Sequence, residues 1–512
     1  MFKRGGGHGK DSDSELPLTN GARRTLKPKP MRLGKYSRLG IGSRMRLPWK
    51  HLISLFLLWL FSVQYFERNY VKSTIKSCSW NKWESWDKNA QPYRAALFGD
   101  PQIMDAHSYP GRPVIINLLT RKILDNYHRK NWRYIQNILS PNANLFLGDL
   151  FDGGRYWDDE TWMEEYKRFN SIFEKKEYKM NIMSLPGNHD IGFGDTVIES
   201  SYNRFNTYFG ETCSRYDLGN HTFYIVDTIS LSDTKLPHLS DKVHEFLDNV
   251  DRDHLKTHPR IMLTHVPLHR NPSIQTCGPK RESKKDFPLM KGDQYQTVID
   301  QDLSREVLEK IEPDLIFSGD DHDYCEITHQ YTVGNTVQEA KEITTKSCAM
   351  NMGIAKPGVH LLSLYNPTNS LTGEKTYETE VCYLPSPYVP IICYITLGVF
   401  SAVYLILVVT CPKFFNNKVI KKLQTICQKH SGNKHAIAAE TKESLLPQFA
   451  HSSVVKDKAT NGFIGKIFNF FKDVLDELVV QTEEASKASS LFVSALIMSV
   501  SISFLFYWYY SF

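Results

Sequence analysis

At 512 residues the chain has room for one large domain with membrane segments, or for two domains. The formal charge is only +6. The most conspicuous basic cluster lies in an N-terminal tail that Gly, Ser and Pro interrupt and an apolar run follows at once, which argues for a membrane-orientation signal and against a nucleic-acid partner.

In chain order, residues 1–50 read as a polar, basic, disordered tail on the cytosolic side. Residues 51–66, containing LISLFLLWLFSVQYF, form a first transmembrane helix. It lies too far from Met1 for a signal peptide and no small-residue cleavage site follows, so it is a signal anchor. Residues 67–92 are a Trp-rich neck, 93–387 a folded domain, and 388–411 a second span. Residues 412–488 form a loop in which 463–480 (FIGKIFNFFKDVLDELVV) is amphipathic, and 489–512 make a third span ending in YWYY. Between Met31 and Lys50 stand six basic residues and no acidic one, and Lys413, Lys418, Lys421 and Lys422 follow the second span. Both flanks therefore face the cytosol, which places 67–387 in the lumen and makes the protein membrane-integral. Six cysteines (Cys78, Cys213, Cys277, Cys325, Cys348 and Cys382) fall in that segment, an even number that permits three disulfides without fixing their pairing. Asn220-His221-Thr222 is a glycosylation sequon in the same segment.

Within the domain, short apolar runs alternate with helical stretches. Tyr93–Phe98, Ala143–Leu147, Met180–Leu185, Thr222–Val226, Arg260–Leu263 and Asp314–Phe317 read as buried strands. Val114–Ile138, Trp162–Phe173 and Leu303–Ile311 carry apolar residues at helical spacing. The alternation predicts a layered α/β domain with a substantially parallel sheet.

Five of those strands run into polar residues of metal-ligand type. They are followed by Gly99-Asp100-Pro101-Gln102, Gly148-Asp149-Leu150-Phe151-Asp152, Gly187-Asn188-His189-Asp190, Thr264-His265, and Gly319-Asp320-Asp321-His322. Ligands of α/β sheets bind at the carboxyl ends of strands, so the five ends converge on one site. One Asp after a strand is ordinarily a cap or turn former, and one His ordinarily a packed histidine. The ordered set is different, because carboxylate, amide and imidazole donors in this proportion suit two divalent cations.

These motifs resemble the calcineurin-like metallophosphoesterases. The phrases FGDPQIMD, SYPGRP, GDLFDGGR, SLPGNHDIGFGDT, LTHVPL, QTCG, SGDDHDYC and KSCAMNMG are similar to the fungal cell-division-cycle branch of the enzymes that remove ethanolamine-phosphate from glycosylphosphatidylinositol (GPI) glycans. The resemblance implies an α/β/β/α sandwich and two divalent ions, Mn²⁺ above all. It implies one ion on Asp100, Gln102, Asp149 and His322, and the other on Asp149, Asn188, His265 and Asp320. It gives His189 to the scissile phosphate as the catalytic residue. The implied substrate is a GPI glycolipid or GPI-anchored protein in the endoplasmic reticulum or Golgi membrane, cleaved at a mannose, by the fungal branch the first.

Gln102 and Asp320 stand where the wider superfamily has histidines, and both still offer oxygen, which favours harder ions such as Mn²⁺ over Zn²⁺. Asp152 is expected to orient a ligand or its turn, and His107, Tyr109 and Arg112 are candidate substrate contacts. Cys325 and Cys348 read as disulfide-bonded or buried rather than catalytic. Two other functions stay open: a lumenal phosphatase of soluble nucleotides or sugar phosphates, and a catalytically inactive membrane scaffold or metal sensor. The intact Asp149, Asn188, His189 and His265 speak against the latter.

Overall fold

The apolar runs become strands because both of their faces are covered, and a computed structural model shows by what. It describes residues 47–250, 258–367, 375–412 and 487–511. The strands are β1 Tyr93–Phe98, β2 Ala143–Phe146, β3 Met180–Ile182, β4 Ser214–Leu218, β5 His221–Ile225 and β6 Arg260–Leu263. A two-residue ribbon follows, β7 Lys291–Gly292 and β8 Tyr295–Gln296, then β9 Leu315–Ser318, β10 Cys325–Val333, β11 Thr336–Thr344, β12 Gly358–Leu364 and β13 Tyr377–Tyr383.

They form two sheets, not the one parallel sheet the alternation predicts. The first has the order β13-β12-β1-β2-β3 and the second β10-β11-β9-β6-β5-β4. Each is parallel in its middle (Ala95↔Ala143 in one, Ile261↔Leu315 in the other) and has antiparallel strands at one or both edges. The edge strands escape a search for apolar runs. In the edge strand β4 none of Ser214–Leu218 is buried, and the run SRYDL reads as polar.

Ala95, Leu97 and Leu145 on one inner face meet Phe223, Ile261 and Phe317 on the other in a single apolar cluster. Alternate residues point outward, where helices cover them. Phe98 packs on Trp132 of helix α3 (Val114–Tyr134), and Phe146 on Phe169 of α4 (Asp159–Ile172). The second sheet is covered by α8 (Pro237–Asp248) and α9 (Gln301–Ile311), through Val243 and Val307. The fold is thus a helix/sheet/sheet/helix sandwich. The predicted helix over 162–173 starts earlier, at Asp159, because Asp158 caps it by accepting from the Thr161 amide at 2.8 Å.

Among the described residues two helices are long and apolar enough to cross a membrane, α10 (Tyr388–Thr410) and α11 (Lys487–Ser511). The first expected span is shorter as regular α-helix, α1 Trp49–Gln64, but runs on through a π turn (Tyr65–Tyr70) into α2 (Val71–Ser77). The three pack together: Trp59 of α1 stacks on Tyr394 of α10 at 6.1 Å, lies edge-on to Phe506 of α11, and donates to Ser401 Oγ at 3.1 Å. The tail before residue 47 and the amphipathic stretch 463–480 lie outside the described residues.

Two disulfides form among the described residues, Cys78–Cys382 and Cys277–Cys325. The first ties the end of the α1–α2 run to β13. Cys213 and Cys348 stay as thiols, and burial pushes both well above the ordinary thiol range, which makes them inert. Asn220 occupies the turn between β4 and β5, its amide donating to the Asn366 carbonyl at 2.9 Å.

Candidate metal centre

Donors come from both sheets. Asp100 and Gln102 follow β1, Asp149 follows β2 and Asn188 lies beyond β3, whereas His265 follows β6 and Asp320 and His322 follow β9. All parallel strands end at the same rim of the sandwich, so the five loops face one another. The Oδ and Nε2 atoms that matter lie close: His265 Nε2 is 3.4 Å from Asn188 Oδ1, 3.5 Å from Asp149 Oδ1 and 3.7 Å from Asp320 Oδ1. Ligand atoms of Asp100, Asp149 and His265 are all within 4.8 Å of one another.

Local backbone is bent to achieve this. Nine non-glycine residues among those described have positive φ, and five of them are Asp100, Gln102, Asp149, Asp320 and His322. Such a conformation costs of order 1–3 kcal/mol each and persists where surrounding structure enforces it, typically at functional sites. Two glycines admit the crowding. Gly148, at φ +90°, would place a Cβ 2.5 Å from His265 Nδ1, and a Cβ on Gly187 would fall 2.0 Å from Asp149 Oδ1.

Fixed partners aim the donors. His265 Nδ1 donates to the Leu147 carbonyl at 2.7 Å, which leaves Nε2 as a lone pair among three oxygens. Gln102 Nε2 donates to Asp152 Oδ1 at 2.9 Å, so Asp152 turns the Gln102 carbonyl oxygen inward. Asn188 Nδ2 donates to the Gln294 carbonyl at 3.1 Å, and Asp100 Oδ1 accepts from the Asp320 amide at 3.0 Å. After these bonds are made, Asp100 Oδ2 and Gln102 Oε1 remain buried with no hydrogen-bond partner among the described residues. A buried acceptor cluster with unmet lone pairs is costly unless a cation completes it, and this donor set suits divalent ions.

The electrostatics say the same. Burial, then the Asp149 charge, raises Asp100 well above the ordinary carboxylate range, and burial with Asp149 and Asp321 does so for Asp320. For Asp149 burial works upward but His265, His189 and His322 outweigh it, and the carboxyl is lowered. Burial drops His322 to about 4.

His189 is placed differently. Its amide donates to Asp149 Oδ1 at 2.9 Å, and its Nδ1 bonds the Asp152 carbonyl at 2.6 Å. The ring is partly exposed, and Nε2 has no partner among the described residues. Of the remaining candidates, His107 and Arg112 are exposed, the Arg112 guanidinium stacks on Tyr109 at 3.8 Å, and no bond joins these three to the donors. Asp105, which the sequence reading passed over, organises their loop: it accepts from the His107 amide and from Trp157 Nε1. Asp190, named at its strand end but given no role there, also has work to do. Its carboxylate takes the amides of Leu150, Phe151 and Gly187, locking two donor loops together, and burial with the Asp149 charge pushes it up to about 8. A run of GNHD offered that signal, since the Asp stands one turn after the glycine.

Residues 93–324 match the calcineurin-like phosphoesterases as a family. The chain is 47% identical to cell division control protein 1 of Saccharomyces cerevisiae over 91% of its own length and 92% of that protein. It is 23% identical to metallophosphoesterase 1 of Xenopus laevis, across 60% of this chain and 81% of the relative. A solved structure described as "GAP50 the anchor in the inner membrane complex of Plasmodium" aligns with 57% of this chain and 84% of its own, at 14% identity and a TM-score of 0.31, too distant to bear on the argument.

Proposed function

Because the chain belongs to the calcineurin-like metallophosphoesterase family, and is a metal-dependent phosphoesterase, we propose that it hydrolyses the ethanolamine-phosphate diester on the mannose core of GPI. The phosphoesterase chemistry rests on the buried acceptor cluster at the strand ends. The substrate rests chiefly on the sequence phrases shared with GPI-remodelling enzymes. One structural observation supports it: the domain is fastened to its apolar helices. Tyr383 of β13 passes into α10 through the short link Leu384–Pro387, and Cys78–Cys382 clamps the α1–α2 run beside it. A domain held that close to a bilayer works on lipid-tethered groups, whose effective concentration the surface raises.

In this reading Asp100, Gln102, Asp149 and His322 hold one divalent ion, and Asp149, Asn188, His265 and Asp320 the other. When bound, the pair neutralises phosphate oxygens and lowers the pKa of water. The protein's own groups do the rest. Asp152 fixes Gln102 through its carboxylate and His189 through its carbonyl, and His189 Nε2 gives a proton to the departing alkoxide. Two disulfides support an oxidising, lumenal compartment, as do the basic flanks of the apolar helices, with all three helices crossing an endoplasmic reticulum or Golgi membrane.

Detergent-purified full-length protein, stripped by a chelator, should release ethanolamine-phosphate from a GPI precursor when Mn²⁺ is restored, and far less with Zn²⁺. Cleavage of an aryl phosphodiester with no release from the GPI precursor would remove the substrate and keep the phosphoesterase. Better recovery with Zn²⁺ would show that ligand softness does not select the ion.

A further inference from the structure

Beside the catalytic rim, the first turns of α3 carry a surface the metal centre does not use. Val114 is 82% exposed and Ile115 72%, and Ile116, Leu118 and Leu119 are exposed as well. Only Asn117 in this run turns inward, donating to the Ala106 carbonyl at 3.2 Å. A helix segment apolar on nearly every side is at home in a nonpolar surrounding, and a patch this continuous marks an interaction surface.

Further along, Leu119, Lys122, Ile123, Asn126 and Arg129 form one stripe of α3 at helical spacing. That stripe is one wall of a cleft of about 620 Å³. The other wall is built from α10 and α11, by Ile391, Ile395, Ile502 and Phe506. Glu67 closes the polar end and is fully engaged there by Lys130 Nζ at 2.9 Å, Asn126 Nδ2 at 2.8 Å and the Tyr394 hydroxyl at 3.1 Å. Lys122 and Arg129 make no salt bridge among the described residues, and the Asp125 carboxylate that also lines the cleft is bonded to Arg168 at 3.0 Å while its charge acts on Arg129, so the cleft carries two cations without a salt-bridge partner at one side of an apolar groove. Tyr70, Tyr507 and Tyr510 also line it, the residue type that settles at the water boundary of a bilayer.

We propose that this cleft seats an anionic phospholipid of the bilayer, acyl chain between α3 and the ends of α10 and α11, phosphate at Lys122 and Arg129. The first turns of α3 then lie in the interface of the same leaflet. This rests on the reading that α10 and α11 cross a membrane. The apolar wall is continuous with their exposed surfaces, and the two cations complement a phosphate. Thr410 and Lys487, where Lys487 Nζ meets the Thr410 carbonyl at 3.1 Å, mark the opposite end of these helices. Twenty-three residues of α10 put that end roughly 34 Å away. The seat also serves the reaction. The loop holding His107, Tyr109 and Arg112 leads directly into α3, and its Asp105 is braced by Trp157 against the turn that carries Asp152. A lipid in the cleft therefore sets the height of the metal centre above the headgroups.

The test uses full-length protein purified in neutral detergent, offered dioleoyl phosphatidylserine or dioleoyl phosphatidylcholine, with retained lipid counted by native mass spectrometry. The wild type should retain phosphatidylserine in preference. Lys122→Glu with Arg129→Glu should lower phosphatidylserine retention at least about tenfold, since each basic group near a membrane contributes appreciably to anionic-lipid binding. Aryl phosphodiesterase activity in detergent should be unchanged, which shows the variant is folded and keeps this test separate from that of the catalytic reading. Equal retention of the two lipids by the wild type, or undiminished phosphatidylserine in the double variant, would overturn the proposal. Should the double variant lose aryl activity too, Leu119→Gln alone replaces it, and unchanged lipid retention there would be equally fatal.

Discussion

Two clusters of buried charge sit in the same sandwich and differ in one respect. At the rim, Asp100, Gln102, Asp149, His265 and Asp320 crowd together and leave Asp100 Oδ2 and Gln102 Oε1 without partners. Deeper in the second sheet, Glu342 is as buried, yet it receives Arg270 Nη2 at 2.6 Å, His329 Nε2 at 2.6 Å and Ser318 Oγ at 2.7 Å. Burial and charge alone do not mark a functional site. What distinguishes the rim is an excess of acceptors over donors, which a cation from outside the chain would correct.

The comparison can be broken most severely at the shared carboxylate. Asp149→Ala should lower phosphodiesterase activity by at least about a thousandfold, because in the proposed site it is a ligand common to both ions and would carry several kcal/mol of charge stabilisation. Metal analysis should show the ions gone, and full activity in this variant would end the two-ion reading. Next comes the satisfied cluster. Glu342→Ala leaves Arg270 buried without its salt-bridge partner and should destabilise the domain by about 3–5 kcal/mol, seen as a fall in Tm. His189→Ala should cost about 10²–10⁴ in rate while metal content stays near the wild-type level, since the ring's Nδ1 is engaged by the Asp152 carbonyl and the proposed ligands do not include it. Loss of metal in that variant would make His189 a ligand.

The smallest effect sharpens the contrast, because the two clusters respond to pH with opposite signs. Asp100 and Asp320 are raised in the folded chain, so the metal-stripped protein binds protons more readily folded than unfolded. Their destabilising contribution grows as pH rises through the raised values and vanishes in acid. Glu342 is lowered: burial pushes upward, but Arg270 and His329 prevail, so its stabilisation is present above the ordinary Glu range and lost as pH falls through the lowered value. Asp320→Asn should therefore raise the neutral-pH Tm of stripped protein by a few degrees, about what 1 kcal/mol produces in a domain of this size. A Tm that falls instead would mean the rim is not electrostatically frustrated.

Much of this was legible before any coordinates. β1 and β6 stand at their predicted bounds, because a strand covered on both faces is written as an unbroken apolar run. The donors were legible for the same reason: a polar residue beside a glycine, directly after such a run, has few places to go but the strand's carboxyl end. Sequence alone thus determined the α/β class, the strand ends that matter and the chemistry of their residues. Tertiary structure decided the rest. It divided the strands between two sheets, since half-exposed edges such as β4 carry no apolar signature. It chose Cys78–Cys382 and Cys277–Cys325 from the possible pairings, gave Asp190 and Asp105 their work, and left two acceptors empty at the rim. Each of these depends on which atoms from distant parts of the chain come within a few ångströms, and local pattern holds no record of that.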